Sequence, residues 1–215
     1  MRRDWMIPLV LLGLLLLGSC SSEAPKGKVA ETPAVVEEPK PEPVPAKYRA
    51  RFETTKGEFV VEVTSTDAPL ASERFYRLLE SNYYSGSPLY RVRPGFVVQW
   101  GISDSPIKTQ KWNMEYMPDE PAKMKNTRGT VSFATSGKDS RTMQVFVNLA
   151  NNAALDKQGF TPFGKVVSGL DVFAKLQSYG DNVNQSQLVR EGGVYVDMNF
   201  PKMDRIRKAE LVTTP

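Results

Sequence analysis

Tyr90-Arg91-Val92-Arg93-Pro94-Gly95-Phe96-Val97-Val98-Gln99 is the stretch on which the reading of this chain depends. Pro94-Gly95 marks a turn, because proline presets φ and glycine supplies backbone conformations that other residues avoid. The short apolar runs on either side, Leu89 to Val92 and Val97 to Gly101, then read as two strands joined there. Arg91 stands before the turn, with Phe96 and Gln99 beyond it. Taken alone, an arginine and a glutamine beside a turn are ordinary surface residues, so the segment gains meaning only from its neighbours.

Toward the C-terminus, short strands are expected at Thr130 to Ala134, Gln144 to Asn148, Phe163 to Val167 and Ile206 to Val212, with a short helix over Leu170 to Gln177. Toward the N-terminus, Arg51 to Thr55, then Lys56-Gly57, then Glu58 to Val63 reads as a hairpin. Phe59, Val61 and Val63 alternate with Glu58, Val60 and Glu62, the period of a half-buried strand. Asp67-Ala68-Pro69 opens a helix with proline in its first turn. Ala71, Phe75, Leu78 and Leu79 give that helix one apolar face. Many short strands with two helices argue for a β-barrel or sandwich. Two stretches, about 102–128 and 178–204, lack periodicity, and loops that long in a compact domain are usually functional or mobile.

Composition narrows the chemistry. The 215 residues leave room for one ordinary domain plus attached segments. A net charge of +4 without a dense basic run gives no support for nucleic-acid binding. There is no histidine and one cysteine, Cys20. Ser-His-Asp and Cys-His machinery is excluded, as are zinc sites built on Cys/His clusters and an intramolecular disulfide. No phosphate-binding GxxxxGK[ST] is present. Asp119-Glu120, in a long Pro-flanked loop, reads as solvated rather than catalytic. Chemistry here must use carboxylates, Arg/Lys, amides, hydroxyls or positioning alone, with no metal or cofactor expected.

The first 19 residues read as a targeting segment, with Arg2 and Arg3 preceding a short apolar run from Met6 to Leu17. About 20 apolar residues are needed to span a bilayer, so an uncleaved anchor is the lesser reading. Leu17-Gly18-Ser19-Cys20 resembles the lipobox of bacterial lipoproteins. That resemblance implies a diacylated Cys20 as mature N-terminus and an exported, envelope-anchored protein facing the periplasm. Ser21 implies the outer membrane if the source has two. Residues 20–47, rich in Pro, Glu, Lys, Ala and Val, read as an extended spacer, and the folded domain is expected over 48–215.

Further elements follow the opening stretch in order: Arg128-Gly129-Thr130-Val131-Ser132-Phe133-Ala134, Gln144-Val145-Phe146-Val147-Asn148, Leu155-Asp156 and Phe163-Gly164-Lys165-Val166. Each alone is weak, but jointly and in this order they are specific. Over about residues 48 to 213 the chain resembles the cyclophilin family of peptidyl-prolyl isomerases.

The resemblance implies a mainly β fold: a closed antiparallel eight-stranded barrel capped by two α-helices. It implies an isomerase acting on X-Pro bonds of exported or unfolded proteins, without cofactor, as a monomer. Position by position, Arg91 matches the arginine at the substrate proline's amide, and Gln99 the glutamine that binds substrate carbonyl and orients that arginine. Phe96, Phe133, Phe146 and Leu155 match the proline pocket, with Phe96 counted among the catalytic groups. Gln144 matches a second groove amide, and Ala134 and Thr135 the strip where backbone pairs with the peptide. Tyr90 and Val97 are assigned to the binding surface, and Phe160 to the groove's far wall.

Histidine is dispensable for such a reaction, since no bond is broken. Weakening amide resonance and holding a twisted peptide suffice. Three positions depart from the common pattern. Tyr90 replaces a frequent histidine; Ala154 replaces a frequent tryptophan, which implies weak cyclosporin binding; Trp100 replaces a small residue, pointing either outward or into the groove. The competing readings are a non-catalytic module that only binds proline peptides, and a scaffolding envelope lipoprotein.

Overall fold

The first two strands owe their pairing to the alternation noted above. In the computed structural model, which describes residues 42–212, β1 (Lys47–Thr54) and β2 (Gly57–Thr64) form a hairpin in the register Phe52↔Phe59 and Thr54↔Gly57. Tyr48, Ala50, Phe52, Phe59, Val61 and Val63 all point inward, and the rings of Phe52 and Phe59 stack with centroids 4.8 Å apart. Ser65 ties down the chain ahead of β1: its N–H donates to Ala46 O (2.9 Å) and its hydroxyl to Pro45 O (2.6 Å). The expected targeting segment, the lipidation site at Cys20 and most of the spacer, residues 1–41, lie outside the described residues.

Six further strands complete one sheet: β3 (Arg91–Arg93), β4 (Val97–Trp100), β5 (Thr130–Phe133), β6 (Val145–Asn148), β7 (Pro162–Ser168) and β8 (Ile206–Val212). Their order is β3-β4-β6-β5-β7-β2-β1-β8, antiparallel throughout. The sheet curls around an aromatic core in which Trp100 lies 5.7 Å from Phe52 and 5.8 Å from Phe59, ring to ring. Trp100 therefore points neither outward nor into the groove, but into the interior.

The expected closed barrel is corrected to a half-barrel. β3 and β8 remain edges, and among the described residues the gap between them is bridged by one isolated pair, Pro88↔Arg205, and by single bonds such as Leu89 N–H to Asp204 O (2.9 Å). Proline has no N–H to donate, so a continuous ladder cannot run through position 88.

The expected pair of capping helices is also too few: the described residues hold five α-helices and one 3-10 helix, Leu170–Lys175. α1 (Pro69–Glu80) buries Ala71, Phe75, Leu78 and Leu79, and Phe75 meets Phe163 of β7 at 4.9 Å. Its N-cap residue, Ala68, has no side-chain acceptor. Glu120 supplies one from a distance, its carboxylate accepting the N–H groups of Leu70 and Ala71 at 2.9 Å each. Glu120 is thus not solvated as expected: its side chain is 6% exposed and pairs with Arg141, itself 2% exposed. A carboxylate at a helix N-terminus satisfies orphan donors and meets the positive end of the helix dipole.

α2 (Pro106–Asn113), α4 (Gln185–Glu191) and α5 (Gly193–Asn199) fall in the two aperiodic stretches, and α3 (Ala153–Lys157) precedes β7. α2 buries only Thr109, so no apolar stripe could announce it, and α4 and α5 are two turns each. Gly192 joins them at φ +60°; a Cβ there would sit 2.1 Å from Asp104 O. Leu188, Tyr195 and Val196 build a second small core with Tyr90, Ile102, Val183 and Met203, which pins residues 178–204 behind β3. Among the described residues, no helix is long and apolar enough to cross a membrane.

Candidate active site

The turn between β3 and β4 closes with Phe96 N–H donating to Arg93 O (2.9 Å), and Gly95 adopts φ +72°. The register then places Arg91 opposite Gln99, Gln99 opposite Phe146, and Phe146 opposite Ser132. Directly opposed residues share a face of a sheet. Arg91, Gln99 and Phe146 therefore form a row on the outer face, while Val92, Val98, Val147 and Val131 form the matching row inside. Three strands thus bring a cation, an amide and an aromatic ring side by side without help from any loop.

That row floors a cavity of about 510 Å³ lined by Arg91, Phe96, Val97, Gln99, Ala134, Thr135, Gln144, Phe146, Leu155 and Phe160, all expected at the site. Phe96, Val97, Ala134, Phe146, Leu155 and Phe160 form an apolar cluster separate from the core, with Phe146 and Phe160 edge to face at 5.5 Å. α3 contributes Leu155 to this wall. Ala154 beside it is exposed.

Two expected contacts are corrected. Phe133 is fully buried on the inner face of β5, its ring 5.0 Å from that of Phe163. Alternation sends Ala134 outward and Phe133 inward, so Phe133 is core rather than pocket wall. Tyr90 is 1% exposed, with its ring in the second core, so it does not offer a surface to substrate. Its hydroxyl instead reaches the site from behind.

A chain of hydrogen bonds links these groups. Tyr90 OH donates to Gln144 Oε1 (2.5 Å), which also accepts from Gln99 Nε2 (3.0 Å). Gln99 Oε1 accepts from Arg91 Nη1 (3.2 Å), and the guanidinium carbon lies 5.7 Å from the centre of the Phe96 ring. Burial pushes the Tyr90 phenol far up, so it remains a donor at any working pH. Among the described residues, Gln144 Nε2 and Arg91 Nη2 donate to no protein group, and both are left for a ligand.

Beneath the apolar wall lies a buried polar layer. Asn126 donates through Nδ2 to Asp156 Oδ1 and to Phe160 O, both 2.9 Å, and its Oδ1 accepts from Ser132 Oγ (3.0 Å) and Asn148 Nδ2 (3.1 Å). Asn152 Nδ2 donates to Phe96 O (2.9 Å). Two pocket rings are thus anchored by their own backbone carbonyls. The backbone N–H and amide of Asn126 hold the Asp156 carboxyl below its usual range.

Asn113, Tyr116, Ser136, Ser140, Thr142, Asp181 and Gln185 also line the cavity and were not expected there. Asp181 is the most consequential: Oδ1 accepts from Arg91 Nε (2.6 Å), and Oδ2 pairs with Arg93 Nη1. The Arg91 guanidinium holds the Asp181 carboxyl below the usual range, with a smaller contribution from Arg93. The partners are 90 residues apart, and the only hint in the sequence is that Asp181 falls in a long aperiodic stretch.

The arrangement has an apolar pocket, a fixed cation and oriented amides, suited to binding and polarising an amide. A family model described as cyclophilin type peptidyl-prolyl cis-trans isomerase/CLD matches residues 49–197. Peptidyl-prolyl cis-trans isomerase A of Dickeya dadantii is 37% identical over 142 residues, covering 63% of this chain and 75% of that protein. A peptidyl-prolyl cis-trans isomerase of Acinetobacter baylyi is 32% identical over 136 residues, covering 61% and 72%. The fold is similar to a Cryptosporidium parvum cyclophilin type isomerase determined in the presence of the dipeptide Ala-Pro, with TM-score 0.59 at 20% identity, covering 77% of this chain and 99% of that one.

Proposed function

The chain belongs to the cyclophilin-type peptidyl-prolyl cis-trans isomerases, whose reaction is the cis/trans isomerisation of X-Pro bonds, and on that premise we propose which of its residues carry the reaction. The obstacle is amide resonance, which sets a barrier of about 18–20 kcal/mol. The proline ring enters the apolar cavity of Phe96, Phe146 and Leu155, with Val97 on its floor and Phe160 at the far wall. Arg91, offering Nη2, approaches the proline nitrogen and favours the state in which its lone pair is localised and the amide twisted. This is stabilisation of the transition state by a preorganised charge. An arginine suits the task because its charge is permanent and its donors are rigidly placed.

Gln99 orients the guanidinium through Oε1 and Gln144 offers its NH2 group to a substrate carbonyl. The Ala134 N–H already donates to Gln144 O (2.8 Å), so the Ala134 carbonyl is what remains there for pairing with the peptide. A single observation carries the assignment: the guanidinium of Arg91 sits over Phe96 and against Gln99 at the mouth of the cavity. A protease-free isomerisation assay on the purified full chain, wild type beside Arg91→Ala, tests it. Equal rates in a folded variant would remove Arg91 from its role.

The same reading extends to the cell. A lipid on Cys20 anchors the protein to the envelope, residues 20–47 hold the domain away from the membrane, and the clients are exported chains whose X-Pro bonds isomerise slowly. Facing the periplasm, on the outer membrane where there are two, the domain works as a monomer. The apolar run Met6 to Leu17 followed by Gly18-Ser19-Cys20 supports this reading. Labelling cells with radioactive palmitate tests it: label should enter the wild type and be absent from Cys20→Ala.

A further inference from the structure

We propose that Asp181 is a positioning residue for the isomerisation, holding the Arg91 guanidinium in the attitude in which its free end faces the proline. The inference rests on the role given to Arg91 above. Arginine loses much rotamer freedom when fixed, so one at the mouth of an open cavity needs restraint. The Arg91 side chain is 27% exposed. Gln99 holds one end at 3.2 Å, a long bond, and Phe96 lies beneath the planar face. Asp181 supplies the third restraint and the shortest, 2.6 Å, at Nε.

The manner of this contact separates positioning from blocking. A bidentate carboxylate would occupy two Arg91 donors and consume the edge that substrate needs. Asp181 instead gives one oxygen to Arg91 Nε and the other to Arg93 Nη1. It grips the stem side of the guanidinium and leaves Nη2 without a protein partner among the described residues. The carboxylate is itself held in place. Ser178 Oγ donates to Val92 O on β3 (2.6 Å) and accepts from Gly180 N–H (3.3 Å), which ties the loop to the strand carrying both arginines. Tyr179 packs edge to face on Phe200 at 5.0 Å, fixing the loop from the other side.

The test uses the full chain with Asp181→Asn, Asp181→Ala and Asp181→Glu beside wild type and Arg91→Ala, scored by kcat and KM on a proline peptide, by thermal midpoint, and by the 1H–15N signal of the Arg91 side-chain Nε–H. Loss of that signal in Arg91→Lys assigns it. The Ala variant should lose roughly ten-fold in kcat with KM little changed, the scale of a small misplacement of a catalytic group, and the Asn variant less, since its amide oxygen can still accept from Nε. Their thermal midpoints should lie within a few degrees of wild type, since Asp181 is half exposed and its ion pair is screened by solvent. The Nε–H signal should move toward its position in a free arginine, and the glutamate variant should recover part of the rate. Wild-type kcat in Asp181→Ala, or a faster one, overturns the proposal, the latter by making the carboxylate a brake. An Arg91→Ala variant as fast as wild type defeats the role of Arg91 instead; an unmoved Nε–H signal then defeats the grip of Asp181 separately.

Discussion

Tyr90 donates its phenolic hydrogen to Gln144 Oε1 at 2.5 Å from behind the cavity wall. Because the same oxygen accepts from Gln99 Nε2, the phenol fixes two groove amides at once, and through Gln99 it steadies Arg91. Tyr90→Phe keeps the ring in its apolar nest and removes only the donor. A hydrogen bond of this kind contributes about 1 kcal/mol, so kcat/KM should fall roughly five-fold. The peptide assay reads this directly; an unchanged kcat/KM would confine Tyr90 to packing.

Arg91 carries the larger expectation. Arg91→Ala should lower kcat/KM by roughly 100- to 1,000-fold, about 2.7–4 kcal/mol, by analogy with removal of one preorganised donor to a developing charge. Arg91→Lys should recover little of it, because a lysine cannot satisfy Gln99, Asp181 and a substrate amide with one rigid fork. Near-complete rescue by lysine would mean that charge alone matters and geometry does not.

The hairpin of β1 and β2 and the apolar face of α1 were legible because each repeats its period over several residues. The pocket was legible through ordered motifs, but motif matching does not say which way a side chain faces. Alternation does: with Arg91 outward, Tyr90 and Val92 must point in, and with Phe146 outward opposite Ser132, Phe133 must point in. Applying the period to the matched motifs would have removed both misplaced residues. Asp181 and Glu120 lie beyond such reasoning. Each acts on a partner far along the chain, and only the folded register brings Asp181 to Arg91 or Glu120 to the start of α1.

Glu120 carries a stability prediction. Its carboxylate caps α1 and neutralises Arg141, whose side chain is almost wholly buried and whose Nε has no hydrogen-bond partner. Glu120→Ala would leave that charge with only Asp119, 3.5 Å from Nε, and the Pro118 carbonyl. Breaking a buried pair in this way costs about 3 kcal/mol, visible as a lower urea midpoint at unchanged slope. Glu120→Gln should fall between, since an amide oxygen can still accept from the helix N–H groups. A loss below about 1 kcal/mol in the alanine variant would show that this pair contributes no more than a surface ion pair does.

Ala154, exposed on α3, yields an inhibitor prediction. With no indole at that position, the rim of the cavity offers cyclosporin little apolar area, and binding should be weak. Titration calorimetry measures it; a nanomolar complex would refute the expectation. Ala154→Trp should strengthen binding while leaving turnover of a short peptide nearly unchanged.

Asp156 ties the pocket to pH. Its carboxyl is held below the usual range first by the Asn126 backbone N–H and then by the Asn126 amide, bonds that exist only in the fold. A carboxylate depressed in the native state contributes stability fully above its unfolded pKa, about 3.9, and that contribution is lost as pH falls through the folded value. The thermal midpoint of the wild type should therefore drop as pH is lowered from about 5 toward 3. Asp156→Asn should flatten part of that drop, the remainder coming from Glu62, Asp171, Asp181 and Glu210, which are depressed by ion pairs of their own. Since the Asn126 amide that meets Asp156 also donates to Phe160 O, loosening it should reach the far wall of the pocket. The asparagine variant at neutral pH should thus show a higher KM with kcat nearly intact. An acid profile parallel to that of the wild type would mean that the Asn126 bonds do not favour the ionised carboxylate.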